Sequence, residues 1–267
     1  MSGPTARSVA MATAFIFGLG YSARAIAGKL VQQGWSSQAT GSAGGIDFDD
    51  DAAVAAELAG ASHVISSVPP NDAGDPVLTR YGHLLAGKWL GYLSSTGVYG
   101  DTAGAWVDES AEVGSGRRAE RACADARWLS MNACVFRLPG IYGPGRSALD
   151  RVREGKAHRI DLPGQVFSRV HVQDIAGGVA AAIAAQVPAG AYNLADDQPA
   201  SQNAVIEHAC HLIGLEPPPL QSLQEAALSP AARAFYGEHR RVANGKLKRL
   251  AGWRPRYPSY REGLAHC

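Results

Sequence analysis

The chain has 267 residues, of which 46% are apolar and 18% are charged, and its formal net charge is +1. The apolar share is normal for a globular protein with a buried core, and the near-neutral charge creates no field that favours nucleic acid or an anionic membrane. Because no run of about 18 apolar residues occurs, we expect no membrane span. Because the net charge is near zero, we expect no nucleic-acid partner.

Four cysteines are scattered along the chain, at Cys123, Cys134, Cys210 and Cys267. They form no C-x-x-C pair and have no histidine at metal-ligand spacing, which indicates isolated thiols rather than a disulfide framework or a zinc site. We therefore expect a reducing, cytoplasmic location, no bound metal, and a monomer or homodimer.

The first twelve residues are expected to form a flexible leader. Arg7, followed by the apolar stretch 9–19, could instead mimic a signal peptide. A glycine-rich turn and a periodic helix follow immediately. This favours a buried strand over residues 13–17, with the folded domain running from residue 13 to 267.

From residue 13 onwards, short apolar runs alternate with segments of helical periodicity. Strands are predicted at residues 13–17, 37–40, 46–48, 63–68, 89–94 and 133–138. Helices are predicted at residues 23–33, 52–58, 76–85, 115–129 and 175–185. This alternation predicts an α/β fold with a Rossmann-type doubly wound parallel sheet.

Beyond about residue 140 the chain becomes rich in Pro-Gly turns, which indicates a small C-terminal lobe. We expect the nucleotide-binding part to cover about residues 13–140 and 165–195. Residues 141–164 and 196–267 would then form the lobe that holds a substrate.

The first predicted strand runs directly into a glycine turn, Gly18-Leu19-Gly20-Tyr21-Ser22-Ala23. In a dinucleotide-binding turn the first glycine allows the tight bend, and the second lets a diphosphate approach the backbone. The small Ala23 permits close helix packing, and the N–H groups at the helix start face the anion. Because the motif follows a strand and opens a helix, the sequence predicts an NAD(P) site here.

The second strand suggests which dinucleotide binds. An NAD-preferring site usually has an acidic residue at the end of this strand, which holds the ribose 2′-hydroxyl. Here the chain reads Ala-Thr-Gly-Ser, and no acidic residue occurs before Asp47. This favours NADP over NAD, with Ser42 or Arg24 as the contact for the 2′-phosphate.

Five segments together resemble the extended short-chain dehydrogenase/reductase superfamily, in its NAD-dependent epimerase/dehydratase branch. They are LSSTGVYG at 93–100, RLPGIYGPG at 137–145, SRVHVQDI at 168–175, YNL at 192–194 and LAGWRP at 250–255. The resemblance implies that Ser95 is the catalytic hydroxyl, which hydrogen-bonds the substrate oxygen. It also implies cofactor contacts from Ser67, Val68, Pro69, Ser94, Pro139 and Ile141.

The chain departs from this family at its catalytic helix. The family carries a Tyr-x-x-x-Lys pair on this helix, followed by an acidic residue. When that acidic residue is aligned with Asp125, Arg117 takes the position of the tyrosine and Arg121 that of the lysine. Arg121 could still hold the ribose through its fork of donors. A guanidinium does not deprotonate usefully, so Arg117 cannot act as the acid/base. The sequence therefore resembles the atypical members of the superfamily.

Tyr99, close to Ser95, is the candidate substitute for the missing proton donor. A tyrosine also occurs at this place in family members that carry the usual pair. A packing or substrate-contact role therefore stays open beside the catalytic one.

Two further clusters have a chemical and a structural interpretation. His171 with Asp174 could be an acid/base pair, but the segment more often leads into a helix and braces the lobe. The acidic residues at 47–51 could hold a metal, but acidic side chains at a helix start are favoured by the helix dipole. We favour the structural interpretation of both.

The basic stretch at 239–249 is a third such case. It contains no interleaved aromatic residues, and the whole chain is nearly neutral, so a solvated helix is favoured over a nucleic-acid surface. Arg241 and Asn244 are candidate cleft residues.

Two functions are consistent with these observations. The first is an atypical NAD(P)-dependent oxidoreductase or epimerase acting on a small polar or sugar-like substrate. The second is a non-catalytic NAD(P)-binding redox sensor or regulatory protein, an alternative supported by the missing Tyr-x-x-x-Lys pair.

Overall fold

A seven-stranded parallel sheet forms the centre of the computed structural model, which describes residues 12–114 and 119–267. Its strands and the short strands outside it are β1 (Thr13–Phe17), β2 (Ser36–Thr40), β3 (Gly45–Ile46), β4 (His63–Ser66), β5 (Trp89–Ser95), β6 (Trp106–Val107), β7 (Cys134–Leu138), β8 (Gly140–Tyr142), β9 (Arg159–Ile160), β10 (Arg169–His171), β11 (Gly190–Asn193), β12 (Leu220–Gln221) and β13 (Arg241–Val242).

Helices connect the strands of the sheet and build the C-terminal lobe. They are α1 (Tyr21–Gln32), α2 (Asp51–Gly60), α3 (Pro76–Tyr81), α4 (Ala119–Ser130), α5 (Ala148–Arg153), α6 (Val172–Ala184), α7 (Gln202–Leu212), α8 (Pro230–Phe235), α9 (Gly245–Ala251) and α10 (Tyr260–Leu264). None of the helices in the described ranges is both long enough and apolar enough to cross a membrane.

The strand order of the sheet is β11-β7-β5-β4-β1-β2-β3, and every neighbouring pair is parallel. The chain first builds outwards from β1 through β2 to β3, and then returns to place β4 on the other side of β1. The direction of growth therefore reverses between β1 and β4, which is where ligands bind in open α/β sheets. The predicted doubly wound parallel sheet is confirmed.

Strand β1 shows why the sheet is covered on both faces. Its Ile16 packs into one apolar cluster with Ile26 of α1 and Val179 of α6. The adjacent Phe15 and Phe17 point the opposite way, into a cluster formed with α2, α3 and α4. Alternate side chains of a strand face opposite sides, so a strand that is apolar throughout requires helices on both.

The C-terminal lobe has an apolar cluster of its own. Leu149 of α5, Ile206 of α7 and Leu264 of α10 pack there against Tyr142, which ends β8. This cluster holds the lobe against the carboxyl end of the sheet, next to the turns that follow β5 and β7.

The predicted elements match the observed ones, with shifts at their ends. The strand predicted at 63–68 ends at Ser66, and the helix predicted at 76–85 ends at Tyr81 and continues as a 3-10 turn over Gly82–Leu84. Strand β11, helices α5, α7, α8 and α10, and the short strands outside the sheet were not predicted. The leader at 1–11 and residues 115–118, where the fourth predicted helix was to begin, lie outside the described residues.

Candidate functional site

The predicted glycine turn follows β1 directly. Gly18 has a φ of +79°, and its N–H donates to Thr40 Oγ1 at 3.0 Å. A Cβ at this position would lie 3.1 Å from Val68 Cγ2 and 3.2 Å from Ser67 Oγ. Glycine is therefore required here by both the backbone conformation and the close packing of the loop after β4.

Gly20 differs from Gly18 because space surrounds it. It is the N-cap of α1, it is exposed, and no heavy atom lies within 4 Å of where its Cβ would be. No side chain caps this helix start, and its first turn contains no acidic residue. The described residues thus leave the helix start at Tyr21 and Ser22 open to an anion, and the buried Ala23 packs beneath it.

Two further residues of the predicted cofactor set, Leu19 and Ser67, hydrogen-bond within or to this turn. The Leu19 N–H donates to the Thr40 carbonyl oxygen at 3.1 Å, so that amide belongs to the fold. The Ser67 hydroxyl donates to the Gly18 carbonyl and fixes the loop after β4 to the turn. Pro69, in the loop after β4, and Ser42, after β2, are exposed.

A cavity of about 420 Å³ opens beyond the carboxyl ends of β5 and β7. It brings together three residues that were selected from the sequence, Ser95, Arg121 and Pro139. It also contains three arginines that sequence reasoning did not select, Arg146, Arg169 and Arg240.

Ser95 ends β5 at the edge of this cavity and is half-buried. Its Oγ accepts the Gly97 N–H at 3.1 Å and caps the 3-10 turn Thr96–Tyr99. Because the hydroxyl accepts this bond, its own proton can be donated to a ligand oxygen in the cavity. The catalytic role that the family resemblance implies for Ser95 stays a prediction.

Arg121 lies on the first part of α4 and lines the same cavity. Its charge also acts on Tyr92, whose phenol pKa is raised by burial and lowered in part by Arg121. The Tyr92 ring stacks on Trp128, with centroids 5.3 Å apart. Arg117, which stands at the position of the family's tyrosine, lies outside the described residues.

Tyr99 and Ser94 are placed away from the cavity. The buried Tyr99 hydroxyl donates to Asn193 Oδ1 at 2.8 Å and accepts from Arg137 Nη1 at 3.0 Å, and burial raises its pKa. The Ser94 hydroxyl donates to Asp125 Oδ2 at 2.6 Å. Asp125 also pairs with Arg137, 2.8 Å between Nη2 and Oδ1.

This network bears on the roles that were considered for both residues. Ser94 and Ser95 are neighbours in an extended strand, so their side chains point to opposite faces, and only Ser95 faces the cavity. The buried contacts of Tyr99 join β5, β7 and β11. They support the packing role rather than proton donation to a substrate.

Arg169 lines the wall of the cavity and is buried. Its guanidinium donates to the carbonyls of Phe167 at 3.1 Å and Ala200 at 2.8 Å, and to Gln202 Oε1 at 3.0 Å. Burial lowers its pKa to about 10, and the nearby Asp196 carboxylate opposes that shift. Arg169 therefore stays charged at neutral pH.

Arg146 connects the cavity to the glycine turn. Its guanidinium lies 5.7 Å from the centroid of the Tyr21 ring, in the first turn of α1. The Tyr21 hydroxyl donates to the Pro144 carbonyl at 3.1 Å. Two contacts thus join the loop after β8 to the proposed cofactor turn, which places the two parts of the site side by side.

A second cavity, of about 680 Å³, adjoins the first and shares Gly140, Arg146 and Arg169 with it. Its wall includes Ile141 and the three tyrosines Tyr142, Tyr236 and Tyr260. Ile141, predicted to flank the nicotinamide, thus lines this second cavity, whereas Pro139 lines the first.

The wall of the second cavity depends on a glycine in α10. A Cβ at Gly263 would overlap the Tyr142 hydroxyl, which donates to the Ser259 carbonyl at 3.3 Å. Helix α10 can therefore approach β8 closely only because residue 263 has no side chain.

His171 and Asp174 have the structural roles that we favoured. His171 Nδ1 accepts the Gln173 N–H at 3.2 Å and caps α6, and burial lowers the imidazole pKa to about 4. The Asp174 carboxylate accepts the N–H groups of Arg256 at 2.5 Å and Tyr257 at 3.2 Å. It braces the C-terminal segment, although burial raises its pKa to about 6.

The acidic residues at 47–51 also serve the fold. Asp50 caps α2 by accepting the Ala53 N–H at 3.0 Å, and Asp51 pairs with Arg80 at 2.7 Å. Within residues 12–114 and 119–267, no group of three histidine, cysteine or acidic side chains is placed to hold a metal ion.

The candidate cleft residues Arg241 and Asn244 do not line either cavity. Arg241 donates to the Gly104 carbonyl, and Asn244 donates to the Ala195 carbonyl at 2.8 Å. The residue of this basic stretch that reaches the cavity is Arg240, whose Nη2 pairs with Glu238 at 2.7 Å.

Comparison with known proteins gives one curated relative at significant similarity. It is a "3-diazoavenalumate denitrifying reductase" from a Streptomyces species, 32% identical over 141 residues, which are 49% of this chain and 45% of the relative. The chain therefore matches less than half of that protein's length. No family model matches the chain.

Solved structures cover nearly the whole chain. A conserved protein of unknown function from Silicibacter pomeroyi DSS is 39% identical, covers 96% of this chain and 97% of its own, and has a TM-score of 0.85. The dTDP-glucose 4,6-dehydratase of Bacillus anthracis in complex with NAD is 14% identical, with coverages of 96% and 95% and a TM-score of 0.72. Human epimerase family protein SDR39U1 with NADPH is 17% identical, with coverages of 94% and 97% and a TM-score of 0.72.

The last two structures, at this low identity, show the fold, and they confirm the predicted likeness to the epimerase/dehydratase branch at that level. The chain belongs to the same family as the Silicibacter pomeroyi protein, and its fold is that of the extended short-chain dehydrogenase/reductases.

Proposed function

We propose that this chain binds a nicotinamide dinucleotide at the turn Gly18 to Ala23 and uses it to reduce or oxidise a small polar substrate beside Ser95. The observation that carries the proposal is the open helix start at Gly20, at the point where the sheet reverses its order. The cavity with Ser95 lies at the same edge of the same sheet. In this fold, ligands bind outside the carboxyl ends of the strands.

The residues at the turn fit a diphosphate. Gly20 leaves its approach unobstructed, and the uncapped amides at the helix start supply donors for phosphate oxygens. Ser67, Val68 and Pro69 would lie beside the ribose, and Pro139 would lie at the nicotinamide ring. The exposed Ser42 and Arg24 favour NADP, because both can reach outwards at the end of β2 and the start of α1.

The names of similar proteins support this cofactor class. The Bacillus anthracis structure contains NAD, the human structure contains NADPH, and the Streptomyces relative is named a reductase. When bound, the dinucleotide supplies the hydride that is exchanged with a carbon of the substrate.

Ser95 has the clearest chemical role on the protein side. Its hydroxyl accepts from Gly97 and donates towards the substrate oxygen, where negative charge develops during reduction. Arg121 lines the same cavity and contributes positive charge there. Since Tyr99 is held by Asn193 and Arg137, the proton that balances the hydride comes from water or from the substrate.

One observation favours the alternative of a non-catalytic redox sensor. The described residues that line the first cavity include no tyrosine, histidine or lysine to transfer a proton, and their one carboxylate, Glu238, pairs with Arg240. A protein of this kind would bind the dinucleotide and respond to its redox state without turning over a substrate.

Calorimetry and turnover together separate these proposals. Titration with NADPH and NADH should give saturable heat, with NADPH the tighter ligand. Loss of nicotinamide absorbance with aldehydes, ketones or nucleotide sugars would support the enzyme, and tight binding with no turnover would support the sensor. If neither dinucleotide produces heat, both proposals fail.

A further inference from the structure

The charges around the first cavity are strongly unbalanced. Four arginines line it in the described part of the chain, Arg121, Arg146, Arg169 and Arg240, against a single carboxylate from Glu238. Low-dielectric walls strengthen the field of such a cluster, which attracts anions and repels cations. The lining thus selects a class of ligand by charge.

Two of these arginines are already compensated by the fold. Arg240 pairs with Glu238 at 2.7 Å and donates to the Gly100 carbonyl at 2.6 Å. The Arg169 guanidinium donates to the carbonyls of Phe167 and Ala200 and to Gln202 Oε1. Their donors are largely used within the protein.

Arg146 and Arg121 are different. Among the described residues, no carboxylate lies within 4.0 Å of either guanidinium. Arg121 lies beside the buried Tyr92, whereas Arg146 is exposed and lies where the two cavities meet. Arg146 is therefore the better-placed cation for a ligand that enters from solvent.

The surroundings of Arg146 hold it in this position. It follows the tight turn in which Gly143 and Arg146 form an isolated bridge, and its guanidinium lies over the Tyr21 ring. An aromatic face attracts a guanidinium and leaves its in-plane donors free for an oxyanion.

We infer that the substrate of the proposed reaction carries an anionic group, a carboxylate or a phosphate, which Arg146 binds where the two cavities meet. That the bound anion is a substrate rests on the proposed function, but the anion site itself can be tested by binding alone. The planar fork of arginine matches two oxygens of either group. The wall formed by Tyr142, Tyr236 and Tyr260 then accepts an apolar or aromatic part of the same molecule.

Three aldehydes of similar shape test the charge requirement. 4-Formylbenzoate carries a carboxylate, 4-formylphenyl phosphate carries a phosphate, and 4-formylbenzamide is neutral. Each is titrated into the full chain by calorimetry and then offered with NADPH. We expect at least one of the two anions to bind about tenfold more tightly than the amide, because the neutral amide cannot form the bidentate charged contact with Arg146. The comparison of the two anions shows which oxyanion is preferred.

Variants at two arginines of the same lobe locate the effect. Arg146→Gln should remove the preference for the anion, and Arg146→Lys should retain part of it as a point charge. Arg153→Gln is the matched control, since Arg153 is exposed on α5, pairs only loosely with Asp150 at 3.9 Å and lines neither cavity. Its preference should equal that of the unmodified chain.

The outcomes separate this inference from the proposed function. Equal binding of amide and anions, or an unchanged preference in Arg146→Gln, overturns the inference. It is also overturned if Arg146→Gln weakens NADPH as much as the anion, because Arg146 then belongs to the dinucleotide site. Anion binding that depends on Arg146, with no oxidation of NADPH, supports the anion site and contradicts the reductase.

Discussion

The glycine turn and the arginine-lined cavity adjoin at one edge of the sheet, yet they are built in opposite ways. The turn is made by six consecutive residues, and its key position, Gly20, works through an absent side chain. The cavity is made by side chains from segments far apart in the chain, such as Ser95, Arg146 and Arg240. A site made of backbone can be recognised in a sequence, whereas a site made of converging side chains depends on the tertiary fold.

The largest effect should come from the cavity side, at Ser95. Ser95→Ala removes the hydroxyl aimed at the substrate oxygen, and we expect kcat to fall by about 10²–10³, as for the loss of one oxyanion donor. Dinucleotide affinity by calorimetry should stay unchanged.

Ser94→Ala is the matched control for this change. Ser94 bonds to the buried Asp125 on the other face of β5, so its loss should lower the free energy of unfolding by about 1–3 kcal/mol while turnover remains. If the two variants lose turnover equally, the assignment of Ser95 to the cavity chemistry is wrong.

The next largest effect tests the turn. Gly20→Asp places an N-cap carboxylate where the diphosphate would bind, and aspartate is a favoured N-cap. The folded chain should therefore keep its thermal stability while dinucleotide affinity falls about 100-fold, which is the loss of two charge-assisted hydrogen bonds.

Gly28→Asp carries the same charge further along α1 and controls for it. Gly28 is exposed, with no heavy atom within 4 Å of the position of a Cβ. Its variant should bind NADPH normally. Normal binding by Gly20→Asp would show that the turn is not the dinucleotide site.

A smaller effect concerns His171, which lies beside the site without taking part in it. Burial lowers its pKa from 6.5 to about 4, so the folded state favours the neutral imidazole. Stability from this group is present above pH 6.5 and is lost as the pH falls towards 4. Between pH 7.5 and pH 5 the loss should be about 2 kcal/mol, because one pKa unit corresponds to about 1.4 kcal/mol.

Urea unfolding of the unmodified chain and of His171→Asn at both pH values measures this loss in the free energy of unfolding. Asparagine can cap α6 but does not titrate, so the variant should lose about 2 kcal/mol less on acidification. The comparison also removes the contribution of Asp174, because both proteins contain it. Its raised pKa makes the folded state more stable as the pH falls, which is opposite to the effect of His171. Parallel losses in the two proteins would contradict a buried neutral imidazole.

The smallest effect concerns the choice of dinucleotide. Arg24→Gln should weaken NADPH by roughly fivefold and leave NADH unchanged, because an exposed charge pair contributes at most about 1 kcal/mol. Lys29→Gln, on the same helix, should alter neither affinity. If Arg24→Gln weakens both dinucleotides equally, its charge acts on a group that they share.

Much of the fold could be predicted because strands β1, β4, β5 and β7 are short apolar runs separated by segments of helical periodicity. Strand β1 was predicted with its observed ends. Strand β11 was missed because Gly190–Asn193 contains only two apolar residues and is recognisable only by its pairing with β7.

The candidate site was predictable to a different extent in its two parts. Position in the chain places Ser95 at the edge of the sheet, and the strand alternation that turns Ser94 inwards was present in the sequence. Nothing in the local sequence distinguishes Arg240, which lines the cavity, from Arg241, which bonds to the Gly104 carbonyl. That difference arises from the pairing of β13 with β6.

The close approach of Gly263 to Tyr142 has a consequence for engineering the second cavity. Any side chain at residue 263 must displace the phenol, and the phenol is part of the cavity wall. Alanine at this position would thus change the shape of the second cavity by moving Tyr142, without contacting a bound ligand. Substrate range could be altered in this way from a residue that no docking of ligands would select.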